Sequence, residues 1–355
     1  MSVGDCWRCP KPPLWTAGGR GEISGASAIP TLVKAVLSLR RHRRAFDWIS
    51  RVQGPLIGLL VLCLLFACVS PVFLSVRNAL NILDQVTVLG ILAIGMTGVI
   101  IIGGIDLSVG ALLAVATMTM GAVWRDFEAP FGVCIILGLL AGSLGGLVNG
   151  LLITRAKLPP FIATLTTMSV ARGIANITTN GAQVVGFPDW FTSLATVRHF
   201  GFLSVTVGLF IVLAICGFMY LRFRATGRML YAIGGNAEVA HLAGIRVQPL
   251  TLMVYVASGL LSAIAGVALS ARLDSAQPSD GFGYELDTIA AVVIGGASLS
   301  GGVGSIGGTV VGVLIIGVLH NGLNLVGVSP FVQQVFIGIA IAIAVAMDRF
   351  KRQEA

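Results

Sequence analysis

The chain has 355 residues, 56% of them hydrophobic and 11% charged, with a formal net charge of +8 and a mean hydropathy of +0.94. That composition excludes an ordinary soluble domain. The basic excess does not mark a nucleic-acid binder either, because the 23 Lys and Arg are distributed between apolar segments as determinants of membrane topology.

Residues 1–45 are rich in Gly, Pro, Ser and basic residues without a sustained apolar period, and are expected to form a disordered cytoplasmic tail. Cys6 and Cys9 make a CxxC with no second pair, which is a poor zinc or redox site. No apolar core follows a basic start, so the tail does not read as a signal peptide. The RRHRR run at 40–44 sits before the first span, where it can meet anionic lipid headgroups.

A hydrocarbon core of roughly 30 Å takes about 20 apolar residues per helix. By that measure residues 46–350 hold ten candidate spans: 55–74, 80–103, 107–124, 131–153, 161–179, 203–221, 250–270, 286–296, 303–325 and 329–347. The eighth is too short to cross unaided, and is either re-entrant or extended by polar neighbours. Placing both termini in the cytoplasm, the latter with a tail at 351–355, puts 18 Lys and Arg inside and 4 outside, as the positive-inside rule expects. The expected fold class is an all-α polytopic membrane protein of about ten transmembrane helices, some broken or re-entrant, with both termini cytoplasmic.

Within the spans, Cys63, Cys68, Cys134 and Cys216 are expected to pack as small apolar residues. Asp84, Asp106 and Arg172 are ionisable groups at or inside spans, which makes each a functional candidate. Gly138, Gly142, Gly146 and Gly150 recur every fourth residue, as do Gly304, Gly308 and Gly312, and both stripes are expected to be close helix contacts. GGIDLSVG (103–110) and GGASLSGG (295–302) share the frame GGxxLSxG, each closing one apolar segment and opening the next. Interrupted helices leave N–H and C=O groups that hydrocarbon cannot satisfy, so both corners are expected to face one aqueous pathway on the cytoplasmic side. Asp106, Ser108, Ser298 and Ser300 are the candidate residues there, and Asn321 and Asn324 are assigned to the same pathway. The competing reading is a pair of tight turns packed between helices.

The longest inner loop, 222–249, contains GGNAEVAHLAG (234–244). Asn236 suits an N-cap, Glu238 the first turn, and Gly244 a left-handed stop, with Val239, Leu242 and Ala243 on one face. No phosphate loop, HExxH or GxSxG occurs, so neither catalytic nor metal-binding residues are assigned. The outer loops carry Asp126, Glu128, Asp189, Asp274, Asp280, Glu285 and Asp287 against four arginines, a negative rim suited to a basic partner.

GGIDLSVGALLAV (103–115), LPPFIATLTTMSVARGI (158–174), GRMLYAIGGNAEVAHLAGI (227–245), the stretch from Leu273 to Gly312, and LHNGLNLVGVSPFVQQVFIG (319–338) resemble, in order, the permeases of ribose-type ABC sugar importers. The resemblance covers about residues 50 to 350; the tail before residue 46 departs from it. It implies a permease subunit of the bacterial inner membrane, paired with a second copy and without enzymatic activity. It further implies a tandem-domain ATPase that binds ATP and Mg, so that this chain itself needs no cofactor, and a periplasmic sugar-binding protein that delivers substrate. The 222–249 loop then carries the helix that docks on the ATPase, through Asn236, Glu238, Val239, Leu242 and Gly244. An ion-coupled secondary transporter, with Asp106 and Arg172 as coupling groups, is the alternative; an intramembrane enzyme is disfavoured by the absent motifs.

Overall fold

The computed structural model describes residues 53–199, 201–339 and 342; the tail at 1–45 with Cys6 and Cys9, and the C-terminal tail at 351–355, lie outside the described residues. The chain is built of helices: α1 (Gln53–Val69), α2 (Val76–Ile101), α3 (Val109–Phe127), α4 (Phe131–Thr154), α5 (Pro160–Thr179), α6 (Asp189–Thr196), α7 (Val205–Phe223), α8 (Ala225–Gly235), α9 (Ala237–Leu242), α10 (Val247–Leu273), α11 (Tyr284–Ile294) and α12 (Ile306–Leu325), then α13 (Pro330–Ile339). All but α6, α8 and α9 fall on the segments expected as spans. By length and apolarity alone, α2, α4, α7, α10 and α12 suffice to cross a bilayer. Side chains start several of them: Ser75, Ser204 and Ser305 accept from the backbone N–H three residues on, filling one orphan donor of α2, α7 and α12.

α2 is the central strut. From Val86 onward it is almost wholly apolar, and Ile91, Ala93, Met96, Val99, Ile100 and Ile101 have no exposed surface, as a helix surrounded by protein requires. α7 and α4 lie outside it, and present Ile211, Val212, Ile215, Met219, Leu140, Leu144 and Val148 outward as a lipid face. The glycine stripes bring backbones together as expected. Gly142 and Gly146 of α4 seat against Gly259 and the Tyr255 carbonyl of α10, while Gly308 and Gly312 of α12 seat against Gly295 and Ala291 at the α11 end.

The two ends of the helix array differ in construction. At one end lie the α2–α3 turn, α8, α9 and the 295–305 turn. At the other, two short antiparallel strand pairs form, β1 (Val184–Val185) with β4 (Ser275–Ala276) and β2 (Arg198–His199) with β3 (Leu203–Ser204). There Arg198 pairs with Asp84 at 2.7 Å, and Arg272 donates to the Asp84 carbonyl at 3.3 Å, so Asp84 has a structural tie and not a free charge. Phe131, Phe187, Trp190 and Phe191 stack beside them with centroids 4.7–6.0 Å apart, and the three phenylalanines are buried in a second hydrophobic cluster.

The short eighth segment has a structural explanation. α11 has 11 residues, and the missing length is non-helical. Gly121 near the end of α3 touches Val184 and Ala276, whereas Gly281 lies against Gly110 at the start of α3. Over the turns at 277–283 the chain therefore descends about 16 Å along α3, at 1.5 Å per helical residue. It re-enters the helix layer before α11 begins.

Candidate coupling and translocation site

Irregular backbone at membrane depth must find partners inside the protein, and both interrupted segments do. In the first corner, Gly103 takes φ +79° and Asp106 turns its carboxylate back onto the start of α3. That carboxylate accepts from Ser108 N at 2.9 Å, Ser108 Oγ at 2.6 Å and Ser258 Oγ of α10 at 2.8 Å. Asn149 Nδ2 of α4 donates to Ser108 Oγ at 2.7 Å, and Thr164 Oγ1 of α5 to the Ile105 carbonyl at 3.2 Å. One carboxylate thereby holds α3, α4 and α10 in register.

The re-entrant stretch before α11 is held by Arg172, from the middle of α5. Its guanidinium donates to the carbonyls of Asp280 at 2.6 Å and Pro278 at 2.9 Å, and reaches Glu285 Oε1 at 3.4 Å. The Asp280 carboxylate accepts from Gln277 N at 2.9 Å, and Glu285 Oε2 from Gly283 N at 2.9 Å. Asp280 and Glu285 are each 8% exposed. This corrects the negative rim: these two carboxylates serve the fold of the re-entrant segment and offer no surface to a partner. The sequence marks Arg172 as unusual but carries no sign of its partners, which lie 106 to 113 residues away.

The second corner meets the first. Gly301, at φ +84°, has no room for a side chain, since a Cβ would lie 2.7 Å from the Gly234 carbonyl and 2.9 Å from Gly103 N. Gly302 N donates to the Ile101 carbonyl at 2.8 Å. Gly234, in the last turn of α8, rests on that same Ile101 carbonyl and on Gly302 N. Tyr231 of α8 adds a hydrogen bond to the Gly304 carbonyl at 2.9 Å. The two GGxxLSxG corners and the end of α8 thus form a single knot of bare backbone. The expected aqueous exposure is uneven: Asp106 and Ser108 have none, Ser298 has 2%, and Ser300 is exposed. Buried carboxylate chemistry, not water contact, explains Asp106 and Ser108 in this conformation.

α9 leaves this knot directly. Asn236 Oδ1 accepts from Glu238 N and Val239 N, both at 3.0 Å. At the other end Ile245 N donates to the Ala240 carbonyl and Gly244 N to the His241 carbonyl, with Gly244 at φ +85°, a Schellman closure. The caps expected at Asn236 and Gly244 are both present. Ala240 is buried, while Val239 and Leu242 are 60% and 81% exposed and Glu238 lies beside them. A six-residue helix fixed at both ends thus holds out an apolar pair that none of the described residues covers.

Asn321 and Asn324 stand apart from the corners. Both lie in the last turns of α12, whose first turn is at the knot. Asn321 and Asn78 exchange amide hydrogen bonds at 2.9 Å in each direction. Asn324 Oδ1 accepts from Gln333 Nε2 of α13 at 2.7 Å. Gln333 is a contact the sequence reading did not select.

The model of the family described as branched-chain amino acid transport system / permease component matches residues 78–345. The ribose import permease protein of Bacillus subtilis is 46% identical over 317 residues, covering 89% of this chain and 98% of its own length. The ribose import permease protein of Escherichia coli K12 is 42% identical over 304 residues, 84% of this chain and 94% of its own. The fructose import permease protein of Rhizobium meliloti is 38% identical over 291 residues, 80% and 81% of the two chains. No solved structure matches the chain. The chain belongs to the branched-chain amino acid transport system / permease component family.

Proposed function

We propose that this family member is the permease subunit of an ATP-driven monosaccharide importer in the bacterial inner membrane. Ribose is the first candidate substrate, because relatives named for ribose import align over nearly their full length. Ten crossings with both termini cytoplasmic agree with the 18-to-4 division of basic residues. The chain works with a second copy of itself, a tandem-domain ATPase that binds ATP and Mg, and a periplasmic sugar-binding protein; it has no catalytic step of its own.

α9 carries this reading. A short helix clamped at both ends transmits a push without bending, and its bare Val239 and Leu242 suit an apolar groove on the ATPase. Through Gly234 the push reaches both interrupted segments, so closure of the ATPase shifts the population between outward- and inward-open forms. Ser298, Ser300 and the segments around Asp106 and Ser108 then border the path that opens, with Asn321 and Asn324 towards its far end. The ion-coupled alternative loses its two groups, since Asp106 and Arg172 are occupied in holding broken backbone.

The test is Glu238→Arg in proteoliposomes with the cognate ATPase and binding protein. ATP-driven sugar uptake should fall at least tenfold while the permease stays folded and monodisperse. Normal uptake together with normal co-purification of the ATPase would show that α9 is not the docking helix.

A further inference from the structure

Away from the knot, near the strand pairs, four helices line a partly open cavity of about 180 Å³. Its polar wall comes from Gln85 of α2, Arg272 of α10, Tyr284 and Asp287 of α11, and His320 and Asn324 of α12, with aliphatic side chains of α2 and α12 completing it. Six side chains that can hydrogen-bond are an unusual lining between apolar helices, where polar groups are costly unless used.

Two observations indicate what the lining is for. Gln85 Oε1 and His320 Nε2 are buried without a hydrogen-bond partner among the described residues. Asp287 Oδ2 and His320 Nε2 are 3.6 Å apart, too far for a hydrogen bond. Neither Gln85 Oε1 nor His320 Nε2 has surface open to water in this conformation, so a hydroxyl that bonds to both Asp287 and His320, about 2.8 Å from each atom, enters as the His320 ring turns towards the cavity. The charges point to the ligand class: the Asp287 carboxylate and the Arg272 guanidinium offset one another, which favours neither a cation nor an anion. Mixed donors and acceptors facing an aliphatic wall suit a molecule with hydroxyls on its edges and C–H groups on its face. At roughly 30 Å³ per water, the cavity holds the volume of about six waters, enough for one small sugar and too little for a disaccharide.

We infer that each permease copy holds a low-affinity monosaccharide site in this cavity, within one chain and not between two. The site rests on the import reading above and deepens it. It lies at the end where the binding protein releases its cargo, so sugar can pause there before the knot opens.

Equilibrium binding of radiolabelled D-ribose to the full-length permease in nanodiscs, without ATPase or binding protein, tests the site. Wild type should bind saturably. Gln85→Met and Asp287→Asn should each weaken binding at least tenfold, and Leu144→Ala on the lipid face of α4 should leave it unchanged. Gln85→Asn replaces any variant that fails to fold. Binding unaffected by the Gln85 and Asp287 variants, or no saturable binding in wild type, overturns the proposal. ATP-driven uptake of the same sugar by the assembled wild-type importer is measured in parallel. Uptake without cavity binding overturns the cavity alone, and absence of uptake for every monosaccharide tried overturns the import reading.

Discussion

Asp106 shows how a single ionisable residue is tolerated among apolar helices. Three donors converge on its carboxyl group, two from Ser108 and one from Ser258, so burial leaves neither oxygen without a partner. Asp106→Ala removes the acceptor and strands those donors, at a cost of about 1–3 kcal/mol; Asp106→Asn keeps one carbonyl oxygen and should lose less. Thermal unfolding in detergent checks this, with the Ala variant melting well below the Asn variant, and equal melting points would deny the carboxylate its bracing role. The residue type was legible in the sequence as costly and therefore used. Its partner Ser258, 152 residues away, was not, because nothing local to either residue encodes the other. Arg172 repeats the lesson with the carbonyls of the re-entrant segment.

Among the elements, α8 and α9 divide the legible from the illegible. The caps of α9 depend on residues within one turn, so Asn236 and Gly244 announced them. The seating of α8 depends on Gly234 having no side chain, and an absent side chain leaves no period to read. Gly234 and Gly235 make a paired test, since a Cβ at Gly234 would strike the Ile101 carbonyl while one at Gly235 meets nothing within 4 Å. Gly234→Ala should abolish ATP-driven uptake by lifting α8 off both corners, and Gly235→Ala should leave uptake within about twofold of wild type, because Gly→Ala in a helix is otherwise mildly favourable. Equal uptake in proteoliposomes would mean that the knot transmits nothing. The glycine stripes of α4 and α12, by contrast, repeat at a helical spacing and were read correctly as packing.

For the whole molecule, the order of apolar segments was legible because hydropathy is local and additive. The route of residues 277–283 into the helix layer was not, since its local turns are closed by Asp280 and Glu285 but its position is set by α3 and by Arg172 of α5, far away in sequence. Topology follows from the same additive property. Reporter fusions after Lys157 and Pro249 should read cytoplasmic and those after Glu128 and Asp189 should read external, the difference being set by the basic residues at each turn. A fusion after Lys157 that reports the outside would overturn the ten-crossing arrangement.

The reciprocal amide bonds of Asn78 and Asn321 join residues 243 positions apart. During synthesis α2 therefore emerges early and waits through most of translation before α12 arrives to cover it. A helix with a polar stripe for its final neighbours would be stranded in lipid during that interval. α2 keeps its strongly polar side chains, Arg77, Asn78, Asn81, Asp84 and Gln85, within its first ten residues, and the apolar run from Val86 to Ile101 is what lets the nascent chain wait in the bilayer without aggregating.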